Sequence, residues 1–478
     1  MRFTTLYFLF FFALVYVVFW IIPRRFRPYL IFVASLGFYA AWSWQFAVHL
    51  LLVLLVNYLA LIRLLGRPRR STLALIVLLN VVNLVFFKYF YFILGTASQA
   101  VGVIGPERLD AWLEHNLGVS HIVLPLAISF YTFQLIALQV DAYRGKIPER
   151  PSIIEYLMFS LYFPHFVAGP IMRHSDFFYQ LRNLKPDETR MLDGLLLVGA
   201  GLVKKVVIAD NVDFVLKPVF ANPGGYDWST NLMAALGFAA RIYCDFSGYT
   251  DIARGSSKML GLDIPENFKA PFLSASVGEF WNRWHVTLMM WLRDYVYIPL
   301  GGSRRSPARN YANLILTMAL SGLWHGASFT FLLWGLWNGV FVSIEKLLGV
   351  RTEFEPGFIR DGFVSSVARL AFRFGGMVYA YLVFALGLIL FNSQSLQSAM
   401  NMYGQIFFLR SGAEWPHTEY VFNIVAITLL FNIVQSRKQF HIPVGWKSYP
   451  VLGALGLVVL LLLGSFPPGT TDFIYFQF

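Results

Sequence analysis

The stretch YANLILTMALSGLWHGASFTFLLWGLWNGVF, residues 311–341, is mostly apolar, contains no Asp, Glu, Lys or Arg, and has one side chain that titrates near neutral pH, His325. Three arginines lie just before it, within residues 304–309, and such clusters mark the cytoplasmic ends of membrane-spanning segments. A helix over residues 311–324 would be about 21 Å long, which is shorter than a hydrocarbon core of about 30 Å. We therefore expect His325 inside the membrane, somewhat beyond its middle, with plausible helix breaks at Ser321–Gly322 and at Gly326.

Placing an ionisable side chain at this depth in the membrane costs free energy, so our first hypothesis is that His325 has a function. A neutral imidazole there could accept a proton. A structural histidine that donates to a backbone carbonyl explains the residue equally well. The sequence contains no HExxH, no G-x-S-x-G and no phosphate-binding P-loop, so the common motifs of soluble hydrolases and nucleotide enzymes do not apply.

The composition extends the membrane assignment to the whole chain. Of its 478 residues, 57% are hydrophobic and only 13% are charged, whereas soluble proteins carry about 25% charged residues. The net charge is +12, but the basic residues lie between apolar runs, so we expect no nucleic-acid partner. The single cysteine, Cys244, excludes an intrachain disulfide and a cysteine-based zinc site. The chain is predicted to be an all-α, polytopic membrane protein that binds no metal.

The loops between the apolar runs predict the topology. Arginine-rich loops at 24–27, 63–70 and 144–150 are expected in the cytoplasm, and the acidic loop 95–120 outside. Basic residues at 437–447 precede the last run, so both termini are predicted to be extracytoplasmic. The predicted runs are 4–22, 29–46, 47–65, 72–94, 121–140, 152–170, 374–391, 419–435 and 449–466.

The middle of the chain does not consist of simple spans, because Gly, Pro and charged residues interrupt it. Polar backbone at membrane depth requires cover from protein or a water-filled cavity. We therefore predict one membrane domain over 1–478, with amino-terminal spans in 1–170, a catalytic core of re-entrant and amphipathic segments in 171–348, and carboxy-terminal spans in 349–478. Within the core, Lys204 and Lys205 are expected to mark the cytoplasmic end of a helix.

A second polar stretch, EFWNRWHVTLMMWLRD at 279–294, has helical spacing and predicts an amphipathic helix near a membrane face. In one interpretation it presents Asn282 and His285 to a polar cavity. In the other, which the pattern alone favours, its tryptophans simply anchor it at headgroup level. Glu279 and Arg283 are four residues apart and are expected to pair.

The segment YCDFSGYTD, residues 243–251, is too polar for a lipid-facing span. Asp245 and Tyr249 are therefore predicted to line a cavity or to bind a neighbouring helix. His165, at a Pro/Gly-rich break, is expected to be structural.

The blocks FWNRWH (280–285) and LWHG (323–326) resemble the membrane-bound O-acyltransferase (MBOAT) family, and most closely its bacterial polysaccharide-modifying branch, the alginate O-acetyltransferase membrane subunits. Further blocks that resemble this family occur along the chain in the same order as in its members. They are LPLAISFYTFQ (124–134), DAYRG (141–145), FPHFVAGPIMR (163–173), VKKVVIAD (203–210), DFSGYTDIA (245–253), ENFKAPF (266–272), WLRDYVYIPLGG (291–302) and FIYFQF (473–478).

This resemblance implies a ring of transmembrane and re-entrant helices around a central cavity, and acyl transfer from a thioester to a hydroxyl. The family's catalytic histidine corresponds to His325 and its second functional position to His285. The expected substrate- or donor-binding residues are Asn282, Arg283, Trp284, Trp324, Asp245 and Tyr249.

The resemblance also implies acetyl-CoA as the acyl-donor substrate, with no bound cofactor. It places the protein in the bacterial inner membrane, with a periplasmic or membrane-anchored protein that accepts the acetyl group as its expected partner. A D-alanyl transfer subunit for teichoic acids, and a non-catalytic transporter or scaffold for an acyl donor, remain alternatives.

Overall fold

The computed structural model describes residues 3–102, 105–117, 121–167, 169–182, 184, 187–350 and 363–437. Every regular element in these residues is a helix, and none is a β-strand, which confirms the all-α prediction. The predicted run at 449–466 and the closing block FIYFQF lie outside the described residues. The chain divides into two compact units, of which the first comprises mainly Tyr7–Asp187 with Ser257–Ile264, and the second mainly Glu188–Ser256 with the described residues from 265 onward.

The first unit contains ten α-helices within its described residues. A serine N-cap starts two of them: the Ser43 hydroxyl accepts from the Phe46 amide at 3.3 Å, and Ser152 forms a capping box with Glu155. The helices are α1 (Leu6–Ile21), α2 (Arg27–Ala40), α3 (Trp44–Gly66), α4 (Arg70–Leu84), α5 (Phe90–Val101), α6 (Pro106–Leu117), α7 (Ile128–Tyr143), α8 (Ile153–Leu161), α9 (Phe163–Phe166) and α10 (His174–Arg182).

The second unit contains the segments that the sequence analysis singled out. Two π-helical segments, Val203–Ala209 and Arg293–Tyr297, interrupt or extend its α-helices. Its described helices are α11 (Glu188–Leu202), α12 (Asp210–Ala221), α13 (Trp228–Met259), α14 (Val277–Arg283), α15 (Val286–Leu292), α16 (Pro307–His325), α17 (Phe329–Leu347), α18 (Phe363–Asn392), α19 (Leu396–Phe407) and α20 (Thr418–Ser436).

Four helical stretches of the described chain are long and apolar enough to cross a bilayer: Trp44–Gly66, Arg70–Val101, Leu370–Asn392 and Thr418–Ser436. They correspond to four of the runs predicted from sequence, at 47–65, 72–94, 374–391 and 419–435. These stretches identify a multi-pass membrane protein. The division of the chain at 170 and 348 stays a prediction.

Candidate functional site

His325 is the last residue of α16. Ser306 caps the start of this helix, and Gly326, in an extended conformation with φ −159°, ends it. The imidazole is buried, and aromatic rings surround it at near-perpendicular angles. The ring centroids of Trp324 and Trp334 both lie 5.0 Å from that of His325, and that of Phe391 lies 5.6 Å away. These three residues form an aromatic box around His325.

Glycines bring α16 and α17 close together beside this box. A Cβ at Gly322 would lie 2.2 Å from the Phe331 carbonyl oxygen, and one at Gly335 would lie 2.3 Å from the Met318 carbonyl oxygen. The predicted break at Gly326 is confirmed, but the one at Ser321–Gly322 is wrong, because the helix continues to His325. Gly322 is required for contact with α17 and does not interrupt its own helix.

His285 lies at a break that the helical pattern did not predict. Residues 279–294 do not form one amphipathic helix, because α14 ends at Arg283 and α15 begins at Val286. His285 sits between them with φ +45° and ψ +50°, in the left-handed region that a non-glycine residue rarely adopts. A strained histidine of this kind is a recurring feature of functional sites.

Asn267 holds this break in place from a neighbouring segment. Its backbone oxygen accepts from the Val286 amide at 3.0 Å, and its Oδ1 accepts from the Thr287 hydroxyl at 2.6 Å and the Thr287 amide at 3.3 Å. The Lys269 amide donates to the Arg283 carbonyl at 2.9 Å. The first amides of α15 are therefore satisfied by tertiary contacts. The sequence analysis did not assign a role to Asn267.

The two histidines lie together inside the second unit. Their ring centroids are 6.3 Å apart at an angle of 70°, which is too far for the rings to share a direct hydrogen bond. His285 is fully buried, and its ring contacts Phe246 at 4.8 Å and Trp324 at 5.8 Å between centroids. Trp324 thus contacts both imidazoles, which places this predicted binding residue within the site.

Two buried indole groups provide hydrogen-bond donors near His325. Trp281 packs edge to face on Trp334 at 5.7 Å, and Trp334 packs on His325 in the same way. Within the described residues neither indole nitrogen has a hydrogen-bond acceptor. Because a buried indole N–H normally has a partner, these two donors are available to a substrate oxygen.

A buried carboxylate fixes the start of α14. Glu345, on α17, accepts from the Val277 amide at 2.6 Å through Oε1 and from the Gly278 amide at 2.8 Å through Oε2. These amides would otherwise be unsatisfied at a helix start, where a negative charge is also favourable. Glu345 therefore holds in place the helix that carries Trp281, and the sequence analysis did not identify it.

Asn282 faces a cavity of about 240 Å³ in the second unit, which it lines together with Trp281, Arg293, Tyr297 and Thr317. The Asn282 side chain is exposed, whereas His285 is buried. The structure therefore places Asn282 in this cavity, and Trp281 connects the cavity to the contacts around His325.

Arg283 and Trp284 make mainly structural contacts. The Arg283 Nη2 lies 2.6 Å from the Glu279 Oε1, which confirms the predicted pair. Trp284 is buried, and its ring stacks on Phe280 at 5.5 Å and contacts Phe384 at 4.8 Å.

A buried cluster of charges lies between α13 and the π-helical segment Val203–Ala209. Lys205 Nζ lies 2.7 Å from Asp245 Oδ1 and 2.5 Å from Asp210 Oδ1, and Lys204 Nζ lies 2.7 Å from Asp251 Oδ2. The prediction that the two lysines mark a helix end is wrong, because the helical run continues from α11 through the π-helical segment that carries them into α12, where both are buried in ion pairs. Their position relative to the cytoplasm stays a prediction. The prediction that the polar face of 243–251 binds a neighbouring helix is confirmed.

Asp245 and Tyr249 belong to this part of α13. Tyr249 is buried, and its ring stacks on that of Phe3 at 4.6 Å and 14°. The residue after Asp245, Phe246, contacts the His285 ring, so α13 carries the charge cluster and one wall of the histidine site.

The sequence profile described as MBOAT, membrane-bound O-acyltransferase family, matches residues 146–389, which include both histidines and the segments around them. The chain belongs to the membrane-bound O-acyltransferase family. As an MBOAT protein it is an O-acyltransferase, an enzyme that uses an acyl donor in a membrane.

Named relatives of this MBOAT chain act on different polymers. The probable alginate O-acetylase AlgI of Pseudomonas syringae pv. tomato is 35% identical over 428 residues, which cover 88% of this chain and 77% of the relative. The peptidoglycan O-acetyltransferase of Helicobacter pylori is 35% identical over 66% of this chain and 63% of its own length. The teichoic acid D-alanyltransferase of Bacillus subtilis is 31% identical over 46% of this chain and 58% of its own length.

Proposed function

We propose that the protein transfers acetyl groups from cytoplasmic acetyl-CoA to an exported polysaccharide, either directly or through a periplasmic or membrane-anchored protein that accepts the acetyl group. The observation that carries this proposal is the buried pair of imidazoles, 6.3 Å apart, with His325 inside the aromatic box. The similarity to alginate O-acetylases over 88% of the chain supports acetyl as the acyl group and a polysaccharide such as alginate as the final acceptor.

His325 is the general base in this mechanism. It removes the proton from the acceptor hydroxyl as that oxygen attacks the thioester carbonyl. The resulting tetrahedral intermediate collapses, its C–S bond breaks, and the coenzyme A thiolate takes the proton from the imidazolium, so that the ester, the thiol and the neutral histidine are formed. A base positioned in this way typically contributes about 10²–10⁴-fold to the rate.

The groups near His325 would stabilise the negative charge that develops on the carbonyl oxygen. His285 can donate a hydrogen bond from one side, and the indole N–H groups of Trp334 and Trp281 are buried donors on the other helices. In a site without water such donors contribute strongly, because they need no reorganisation during the reaction. Trp324 holds both imidazoles at their separation.

The acyl donor would approach through the cavity that Asn282 lines. This cavity extends from Tyr297, beside the arginine-rich start of α16, to Thr317 in the middle of that helix. Asn282 and Arg293 would contact the polar part of the donor, and the thioester would pass beside Trp281 towards His325. Arg283 and Trp284 support this donor-binding segment, and Asp245 and Tyr249 support the wall formed by α13.

In this proposal the donor side faces the cytoplasm and both chain termini lie outside, in the inner membrane of a bacterium, and the positive-inside pattern of the loops supports this orientation. Cysteine labelling tests this topology. A cysteine introduced within 105–117 should react with an impermeant reagent from outside, and one within 66–70 only from inside. The reverse pattern of labelling contradicts the proposed orientation.

Reconstitution in proteoliposomes tests the reaction itself. Labelled acetyl-CoA is supplied on one face, candidate polysaccharide or protein acceptors on the other, and transfer of label is measured for the wild type, for His325→Ala and for His115→Ala, an exposed histidine in α6. Label should reach an acceptor with the wild type and with His115→Ala, and transfer should fall at least about 10²-fold with His325→Ala. Unchanged transfer with His325→Ala contradicts the mechanism.

Similarity to the D-alanyltransferase supports a second candidate, in which the donor is an aminoacylated carrier protein. The same proteoliposomes distinguish the two. Labelling from free acetyl-CoA supports the first candidate, and labelling only from a D-alanyl carrier protein supports the second. Binding or passage of the acyl donor across the bilayer, with no label transferred to any acceptor, supports a transporter or scaffold without catalysis.

A further inference from the structure

A groove in the first unit runs between α3 and α4. Helix α3, and the helical stretch Arg70–Val101 that begins with α4, are long and apolar enough to span a membrane. It contains a cavity of about 690 Å³ whose walls include Val56, Leu59 and Leu79. At one end the cavity is bounded by Arg63, from the last turn of α3, and by Arg150, from the segment before α8. Three separate parts of the chain thus form one groove that is apolar along its length and basic at its end.

The basic end of the groove carries uncompensated charge. Both Arg63 and Arg150 are exposed, and neither forms an ion pair with another described residue. The nearest acidic residues in sequence to Arg150, Glu149 and Glu155, are both paired with Arg182; its Nε lies 2.6 Å from the Glu155 Oε1. The two guanidinium groups are therefore free to bind an external anion.

Hydroxyl groups lie at the same end of the groove. Ser71 and Thr72, in the first turn of α4, line the cavity together with the arginines. Guanidinium and hydroxyl donors around one position form a site for a phosphate group, because Arg matches phosphate oxygens with paired N–H bonds.

A polar contact beneath the groove fixes its width. Asn57 on α3 and Asn80 on α4 exchange side-chain hydrogen bonds at 3.1 and 2.8 Å, and both are almost fully buried. Gln139 on α7 donates to the Asn57 carbonyl oxygen at 2.8 Å. Interhelical amide bonds of this kind resist sliding of the helices, so the groove is a fixed feature of the first unit.

We propose that this α3–α4 groove binds an anionic glycerophospholipid of the leaflet on its arginine side. The phosphate lies between Arg63 and Arg150, the hydroxyls of Ser71 and Thr72 donate to the headgroup, and an acyl chain follows Val56 and Leu59. The two positively charged arginines favour an anionic headgroup over a neutral one. The apolar walls of the groove bind an acyl chain, so they favour a lipid over free phosphate. This site is separate from the histidine site and does not depend on the proposed reaction.

The arginines of the α3–α4 loop provide a matched control. Arg67 and Arg69 are exposed and belong to the same basic loop, but they do not line the cavity. The variant Arg63→Gln/Arg150→Gln and the variant Arg67→Gln/Arg69→Gln lose the same formal charge. General attraction to an anionic surface would be weakened equally by both, whereas a built site depends on the first pair.

The test measures lipid binding to the full-length protein in detergent by native mass spectrometry, with phosphatidylglycerol and phosphatidylcholine as probes and inorganic phosphate as a competitor. We expect preferential binding of phosphatidylglycerol, a loss of about tenfold in affinity with Arg63→Gln/Arg150→Gln, and a change of about twofold or less with the control pair. Ala60→Trp, which fills the apolar wall, should also weaken binding with every arginine retained.

Three results would overturn the proposal. They are equal weakening by the two arginine pairs, equal binding of both lipids, and displacement of the lipid by millimolar inorganic phosphate with no effect of Ala60→Trp. Melting temperatures measured without added lipid show whether each variant is folded.

Discussion

The imidazole rings of His285 and His325 lie 6.3 Å apart between centroids and meet nearly edge to face, at 70°. The two residues are 40 positions apart in sequence and are held by different means. His325 ends a capped helix, whereas His285 occupies a strained position between two short helices. The separation allows each ring to contact a different atom of one reacting group, so that one can move a proton while the other holds an oxygen.

The strained backbone at His285 can be separated from the role of its side chain. His285→Ala removes the ring and keeps the left-handed conformation, whereas His285→Gly removes the ring and relieves the strain, because glycine adopts a φ of +45° readily. We expect both variants to lose most acyl transfer, and the glycine variant to be more stable than the alanine variant by about 1 kcal/mol. The measurements are initial rates in proteoliposomes and thermal unfolding in detergent. Full activity in His285→Gly would show that the imidazole has no part in the reaction.

Asn267 is a positioning residue for His285, since it satisfies the first amides of α15. Asn267→Ala removes the side-chain acceptor and should cost about 1–2 kcal/mol of stability together with a fall in kcat. Asn267→Asp keeps the acceptor oxygen and should retain more activity than the alanine variant. The two variants are compared by kcat and KM for the acyl donor. If the alanine variant unfolds at a lower temperature but keeps the wild-type kcat, the role of Asn267 is purely structural.

The end of α16 at Gly326 could be predicted from sequence, because a glycine after an apolar run is a local signal. The break at His285 could not, because the helical spacing of Phe280, Trp284 and Trp291 continues across it. That break depends on Asn267, whose bonds come from a segment about twenty residues earlier. Lys204 and Lys205 were misplaced for a similar reason, since their aspartate partners lie on another helix. Local patterns predicted the long apolar helices and drew attention to His325, and the family resemblance drew attention to His285. The break at His285 and the partners of the buried lysines depend on tertiary contacts, which local patterns do not contain.

Gly322 should tolerate no larger residue, because a Cβ there would lie 2.2 Å from the Phe331 carbonyl oxygen, a backbone atom. Gly322→Ala would separate α16 from α17 next to the aromatic box, and we expect a loss of about 1–3 kcal/mol in stability together with a loss of activity. Gly375 in α18 provides the control, because a Cβ there meets nothing within 4 Å. Gly375→Ala should be neutral or stabilising by up to about 1 kcal/mol. Thermal unfolding in detergent measures both, and similar melting temperatures for the two variants would contradict the close packing of the hairpin.

Trp334 can be tested as a hydrogen-bond donor to the reacting carbonyl by a substitution that keeps its aromatic packing. Trp334→Phe removes the indole N–H, which has no acceptor among the described residues, so that little stability should be lost through hydrogen bonding. If the N–H binds the developing oxyanion, kcat should fall by about 10²-fold with a small change in KM.

Trp337, one turn away on α17, supplies the control for this substitution. Its indole N–H donates to the Val383 carbonyl oxygen at 3.0 Å, so Trp337→Phe removes a hydrogen bond between α17 and α18 and should lower stability by about 0.5–1.5 kcal/mol with little effect on kcat. Trp334→Phe should therefore lower the rate and Trp337→Phe the stability. This contrast distinguishes an indole that donates to the substrate from one that donates to another helix of the protein. Equal kcat values in Trp334→Phe and the wild type would exclude Trp334 from the stabilisation of the transition state.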